Sequence, residues 1–377
     1  MKILKRAIEK SILNNLQSNK VVVILGARRT GKTILLKQII EKLDEPYLLL
    51  NGEDQNSADI LSIRTVKNYK NILGDKRVLI IDEAQKIENI GQILKLMIDE
   101  ISGLKIIITG SSIFDISNKI GEPLVGRKWT YHLYPIFESE YNQIENRIEK
   151  IDNLRERLIF GNYPELMHIP NRERKKQYLQ EIINSYLLKD ILTFENLRNS
   201  SKIQNLLRLV ARQIGKKVSY HELGKQLSMS KNTVERYLDL LSKVFILYRV
   251  DGFSRNLRKE ISKSSKWYFY DNGIRNVLIN NLNQLELRND VGALWENYII
   301  SERIKFQQYN RMLVGNYFWQ TYDQQEIDWI EDRDGKLFAY EMKWKKVNVK
   351  IPTAWKKAYP ESKFSIINKE NYGDWVL

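Results

Sequence analysis

Residues 26–33 read Gly-Ala-Arg-Arg-Thr-Gly-Lys-Thr, a G-x4-G-K-T spacing. Glycines at Gly26 and Gly31 let the backbone wrap so that its N–H groups converge on phosphate oxygens. Lys32 is spaced to reach the β- and γ-phosphates of ATP, and the Thr33 hydroxyl to ligate the accompanying Mg²⁺. Arg29, beside Arg28, lies inside the loop and either touches nucleotide or faces solvent. A second group of residues complements the loop. Val78–Ile81 is an apolar run ending in Asp82-Glu83. Such a run places the acids at the C-terminal edge of a buried strand, where Asp82 would hold the metal and Glu83 would activate water. Residues 106–112, Ile-Ile-Ile-Thr-Gly-Ser-Ser, form a further strand running into small polar residues. Its Ser111 either faces the γ-phosphate or belongs to an ordinary turn. Arg127 is a candidate to stabilise charge on the leaving phosphate, in its own subunit or in a neighbour's.

A different chemistry is suggested near the C-terminus. Asp328 lies in an apolar-flanked stretch, Glu326–Ile330, and Glu341 and Lys343 lie in the next, Leu337–Trp344. Residues 341 and 343 share one face of a strand, and a hairpin can bring Asp328 beside them. Two carboxylates can hold Mg²⁺ while a lysine positions or deprotonates water for phosphodiester attack. Glu296, on a preceding helix, is a possible fourth member. The pattern resembles restriction-endonuclease-like nucleases, whose metal site is built from Asp and then Glu-x-Lys.

The elements that must position these groups follow from apolar patterning. Val21–Leu25 is a short apolar run that ends in glycine and precedes a helical stretch over 32–43. Further strands are expected at Pro46–Leu50 and Lys105–Thr109, with a helix over 91–101. Strands alternating with helices imply an α/β domain with a mainly parallel sheet. From about 140 to 245 the pattern is mostly helical. From about 290 a new alternation begins, with a helix at Trp295–Phe306 and strands at 316–320, 326–330 and 337–344.

Ser219–Ser228 and Lys231–Val244, joined by Met229-Ser230, read as helix–turn–helix, and 245–259 as a following β-wing. Lys231, Asn232 and Arg236 would lie outward on the second helix, and Arg255 and Arg258 on the wing. That arrangement would suit DNA. The charge distribution agrees. The chain of 377 residues carries a formal charge of +15, and residues 201–280 hold 16 Lys+Arg against 6 Asp+Glu. AT-rich coding is the bland rival explanation. There is no cysteine, which excludes disulfides and thiol chemistry. The three histidines are scattered. No apolar run approaches the roughly 18 residues needed to span a membrane. A cytoplasmic protein is expected.

Across nearly its whole length the sequence resembles bacterial and archaeal AAA-superfamily ATPases that carry a C-terminal domain of uncharacterised function. The resemblance runs through GARRTGKT (26–33), LIIDEAQ (79–85), ITGSS (108–112), GR (126–127), GNYPE (161–165), YLLKDI (186–191), YFYDNGIRN (268–276), EIDWI (326–330) and YEMKW (340–344). Relatives often carry proline where this chain has Ala27. The resemblance implies a P-loop ATPase domain at 1–150, a helical connector with a winged helix at 151–287, and a restriction-endonuclease-like α/β domain at 288–377. The expected function is ATP hydrolysis coupled to a DNA-binding, nuclease-like module. The alternative is an ATP-driven switch or scaffold whose inactive tail binds a protein partner. Oligomeric state is left open.

Overall fold

Strand β1 (Val21–Leu25) is buried at all five positions, as is most of β4 (Lys105–Gly110). Continuous apolar strands of this kind belong in a parallel sheet covered on both faces. The computed structural model places them there. It describes residues 3–111, 123–187, 200–254 and 265–376. They pack as two units: residues 1–135 with 243–245, and residues 136–242 with 246–377.

The first unit holds a five-stranded sheet in the order β2-β3-β4-β1-β5, with β2 at Tyr47–Asn51, β3 at Val78–Asp82 and β5 at Lys128–His132. Every pairing is parallel. All C-terminal strand ends therefore lie along one edge. β4 sits between β1 and β3, so the loops after these three strands are neighbours. The edge strand β2 alternates between exposed and half-buried positions, as an edge strand can. Among the described residues the unit also holds helices α1 (Glu9–Asn14), α2 (Lys32–Ile40), α3 (Gln55–Ser62), α4 (Val66–Leu73) and α5 (Ile90–Glu100).

In the second unit, α6 (Arg147–Phe160), α7 (Arg172–Glu181) and α8 (Ser200–Arg212) precede a short strand β6 (Lys217–Val218). Then come α9 (Tyr220–Leu227) and α10 (Lys231–Lys243), followed by an antiparallel hairpin of β7 (Leu247–Gly252) and β8 (Ser265–Phe269). Ser219 caps α9, accepting from the Glu222 amide at 3.3 Å, and Ser230 accepts from the Thr233 amide at 3.1 Å. Next follow α11 (Asn272–Leu278), α12 (Val291–Tyr309), β9 (Gly315–Gln320), β10 (Glu326–Arg333), β11 (Lys336–Met342), α13 (Thr353–Ala358), β12 (Lys363–Ile367) and α14 (Gly373–Val376).

The hairpin does not stand apart from the C-terminal strands. β7 pairs with β9, giving one seven-stranded sheet in the order β12-β11-β10-β9-β7-β8-β6. The expected limits at 150 and 287 therefore differ from the packing. Residues 136–150 join the second unit because Glu138 is fully buried there. It accepts from Arg157 at 3.1 Å and Tyr372 at 2.9 Å, and also from Tyr298. The limit at 287 cuts the chain between hydrogen-bonded strands of one sheet. The GNYPE and YFYDNGIRN segments have a structural explanation in the same region. Asp271 accepts from the Asn162 amide at 2.6 Å, and Asn297 donates to Asn272 at 2.7 Å. Ser112, Arg255, Arg258 and residues 188–191 lie outside the described residues.

Candidate functional site

The phosphate loop leaves the C-terminal end of β1 and enters α2. Gly31 has φ of +95°, and Arg29 takes +66°. The left-handed region is open to glycine and costs a side-chain-bearing residue on the order of 1 kcal/mol. A Cβ on Gly26 would lie 2.2 Å from the Leu133 carbonyl oxygen, so only glycine fits the start of the loop. Thr30 braces the loop from inside, its Oγ1 donating to the Ala27 carbonyl at 2.8 Å. Lys32 is buried, and its Nζ donates to the carbonyls of Gly26 at 3.0 Å and Ala27 at 3.2 Å.

Asp82 and Glu83 end β3 beside this loop. The Thr33 Oγ1 donates to Asp82 Oδ2 at 2.7 Å. The two expected metal ligands thus present oxygens to one point, which fits a small hard cation such as Mg²⁺. Thr109 donates to the other Asp82 oxygen and accepts from the Glu83 amide at 2.9 Å. Glu83 has φ of +51°, a left-handed conformation with no glycine to relieve it. Its carboxylate accepts from Gln85 Nε2 at 2.5 Å and lies 3.8 Å from Lys32 Nζ. Gln85 also donates to Ser111 Oγ at 3.1 Å. The loop lysine, the hydroxyl, both acids and Ser111 therefore converge.

Arg127 does not join them. It immediately precedes β5, and its carbonyl accepts from the Val21 amide at 2.8 Å, at the N-terminal end of β1. The loop leaves the opposite end. At about 3.3 Å per residue, a five-residue strand separates the two by roughly 15 Å. Its guanidinium pairs instead with Asp99. The cis role is thereby corrected: parallel strands put this arginine on the wrong edge of its own sheet.

Sequence reasoning missed three contributors. Arg6 is buried and donates to the carbonyls of Thr30 at 2.8 Å and Tyr134 at 2.7 Å, tying the loop to the segment after β5. Gln85 and Gly52 are the others. A Cβ on Gly52 would come within 2.4 Å of the Glu83 carbonyl oxygen. LIIDEAQ contains Gln85, yet nothing in its spacing marks the amide as a partner of the acid.

In the second unit, β10 and β11 pair antiparallel with Trp329 opposite Tyr340. Asp328 and Glu341 are the next residues in that register. Asp328 Oδ2 accepts from the Met342 amide at 2.8 Å, and Lys343 Nζ lies 2.7 Å from Glu341 and 3.5 Å from Asp328. Burial and the neighbouring Asp328 push the Glu341 carboxyl up to about 7. Burial works to lower the Lys343 ammonium, but the two acids outweigh it and raise its pKa.

Glu296 projects from α12 into the same neighbourhood but is differently engaged. It accepts from the Tyr268 hydroxyl at 2.6 Å and lies 3.9 Å from the ammonium of Lys266. Burial first, then Asp328, raise its carboxyl to about 8. Lys266, itself fully buried, also pairs with Glu326. Among the described residues, no set of three or more His, Cys, Asp or Glu side chains has metal-ligating geometry. Of the Glu296 carboxylate, Oε1 is taken by Tyr268, and the residue is not grouped with Asp328 and Glu341 in such a set. Asp328 and Glu341 remain a two-carboxylate pair that fits at most a largely hydrated ion. On α10, Lys231, Asn232 and Arg236 are exposed. No helix among the described residues is long and apolar enough to cross a membrane.

Comparison with known proteins agrees with the first unit's geometry. Residues 18–142 match the family model described as an AAA domain. The chain thus contains an AAA-type P-loop ATPase domain. Residues 151–285 and 291–373 match two domains of unknown function, DUF8612 and DUF4143. An uncharacterized protein of Methanocaldococcus jannaschii is 28% identical over 323 residues, covering 79% of this chain and 69% of that protein. Another, from Mycobacterium tuberculosis, is 23% identical over 328 residues, covering 86% and 70%. A Walker-type ATPase of Pyrococcus abyssi aligns with a TM-score of 0.49 at 15% identity, covering 73% of this chain and 96% of that one.

Proposed function

We propose that this protein hydrolyses ATP at the 26–33 loop and uses the cycle to control a nucleic-acid-binding, nuclease-like C-terminal unit. The observation that carries the first part is the 2.7 Å contact between Thr33 and Asp82, with Lys32 and Glu83 alongside. Thr33 and Asp82 would hold Mg²⁺, which when bound withdraws charge from the β- and γ-phosphates. Gly26, Arg29, Gly31 and Lys32 would surround the phosphates. Lys32 would exchange its loop carbonyls for phosphate oxygens. That exchange frees a cation to stabilise the transition state. Glu83 would take the proton of the attacking water, with Gln85 and Ser111 orienting its carboxylate.

The winged-helix reading is supported by the order α8-β6-α9-α10-β7-β8 and by exposed Lys231, Asn232 and Arg236. The nuclease-like reading is supported by Asp328, Glu341 and Lys343 lying within hydrogen-bond reach of one another at the strand ends. A second reading, an ATP-driven switch with an inactive tail and a protein partner, is favoured by one observation: Glu296 is occupied by Tyr268 and does not complete a metal set.

Two assays decide. Glu83→Gln should lower ATP turnover at least about 100-fold while ATP still binds, in line with general-base losses; unchanged turnover would overturn Glu83 as the base. Plasmid incubated with ATP and Mg²⁺ or Mn²⁺ should be cleaved by the wild type and not by Asp328→Ala or Glu341→Ala. Intact plasmid beside measurable ATP turnover would favour the switch.

A further inference from the structure

The carboxylate pair lies next to a basic segment that the helix–turn–helix does not explain. Residues 343–357 contain six lysines and no acid. Apart from Lys343, which sits with Asp328 and Glu341, all are exposed. This segment leaves the C-terminal end of β11. The turn that joins β9 to β10, residues 321–325, lies at the same end of the sheet because β10 runs antiparallel to both neighbours. The two loops are tied directly. Gln325 Oε1 accepts from the Ala354 amide at 3.1 Å and from Thr353 Oγ1 at 3.4 Å. The turn carries Tyr322, whose side chain is 91% exposed. Beneath them Trp355 is fully buried against Trp319, so both loops rest on a packed floor.

We propose that this rim, formed by Tyr322, Lys345, Lys346 and Lys350, binds a nucleic-acid strand across the mouth of the Asp328–Glu341–Lys343 pocket; the inference rests on the nuclease-like reading above. Three exposed ammoniums on one loop are suited to successive phosphates, not to a single one. Lys346 has an acidic neighbour, Glu370, at 3.5 Å, but both side chains are more than half exposed and the pair is weak. An exposed tyrosine on the adjoining turn, at the same end of the sheet, is suited to stacking on an unpaired base. An acidic protein could satisfy the lysines, but it would leave the tyrosine and the adjoining Asp328–Glu341–Lys343 cluster unaccounted for. The combination selects single-stranded over duplex nucleic acid, because stacking needs a base out of its pair.

The test uses full-length protein and a fluorescently labelled oligonucleotide, single-stranded and annealed, titrated by anisotropy over a range of salt. The charge-reversal variant Lys345→Glu/Lys346→Glu/Lys350→Glu should lower the slope of log affinity against log salt by about 2–3, at about 0.7–0.9 per phosphate contact. Tyr322→Ala should weaken single-strand binding at least about fivefold and duplex binding less. The substituted side chains are exposed, so melting temperature and ATP turnover should match the wild type. A slope lost only in Lys231→Glu/Arg236→Glu would overturn the rim while leaving DNA binding by the helix–turn–helix intact. Absence of salt-sensitive binding by the wild type would overturn the rim and the nucleic-acid reading together. Binding lost in the rim variant, together with plasmid left uncut by the wild type, would keep the rim and remove the nuclease.

Discussion

Replacing Arg6 by alanine tests whether the phosphate loop is held from outside itself. The guanidinium makes two charge-assisted hydrogen bonds in a buried setting, to the carbonyls of Thr30 and Tyr134. Bonds of this type contribute about 1.5–3 kcal/mol each, and their loss leaves buried carbonyls unpaired. Arg6→Ala should therefore cost about 3–6 kcal/mol, a large share of the about 5–15 kcal/mol that holds a typical domain together. For a unit of this size that corresponds to a melting point lowered by about 10–25 °C. Arg6→Lys keeps the charge and can reach one carbonyl, so it should recover about half. Thr30 immediately precedes Gly31, and freeing its carbonyl should also weaken ATP binding under conditions where the variant is still folded. Differential scanning fluorimetry gives the first quantity and titration with a fluorescent ATP analogue the second. Wild-type melting together with wild-type affinity in Arg6→Ala would refute the reasoning. Reduced melting with unchanged affinity would confine Arg6 to stability.

Two further outcomes are expected. If Arg127 acts on a neighbour's nucleotide, specific ATPase activity should climb with protein concentration, and Arg127→Ala should remove the climb; a flat wild-type profile refutes the trans role. Glu296, with its carboxyl raised from 4.5 to about 8, keeps in the folded state a proton that the unfolded chain releases. Stability should thus fall as pH rises between those values, by the linkage of proton uptake to folding. Glu296→Gln should flatten that decline in melting temperature between pH 5 and 9, and an unaltered slope would sink the assignment.

The parallel sheet of the first unit could be read from the chain because its central strands β1, β3 and β4 are continuous apolar runs, each followed by residues with an evident chemical use. Lys32, Thr33, Asp82 and Glu83 follow from spacing alone. Arg6 and Gln85 do not. One is a surface-type residue in an amphipathic segment, and its burial depends on a carbonyl 128 residues away. The other makes its key bonds through an amide that any loop residue could carry. Whether Arg127 reaches the nucleotide of its own subunit was not legible, because strand β5, rich in Lys, Trp, Thr and His, carries no apolar run. Without that strand, the edge of the sheet on which the arginine lies could not be assigned. In the C-terminal region the hairpin partners Asp328 and Glu341 were legible from alternation and a turn. Lys266 and Tyr268 were not, because they arrive from a strand more than fifty residues earlier in the chain.

That last contribution changes how the C-terminal region should be divided. The two matches to domains of unknown function meet between residues 285 and 291, yet the sheet passes through the junction. β8 supplies the ammonium that faces Glu296 and Glu326, and β7 supplies the hydrogen bonds along β9. Removing the earlier part would leave two buried or half-buried carboxylates without their cation and an open sheet edge at β9, both costly. The helix α10 enters that same hairpin after three residues, so a ligand on α10 that shifts β7 also shifts Lys266 relative to the acids. On the proposed reading, a nucleic acid bound at α10 would act on the acids of the second unit through this one hairpin. By reciprocity, a charge change at Glu296 or Lys266 should alter affinity at α10 if binding there moves β7 at all.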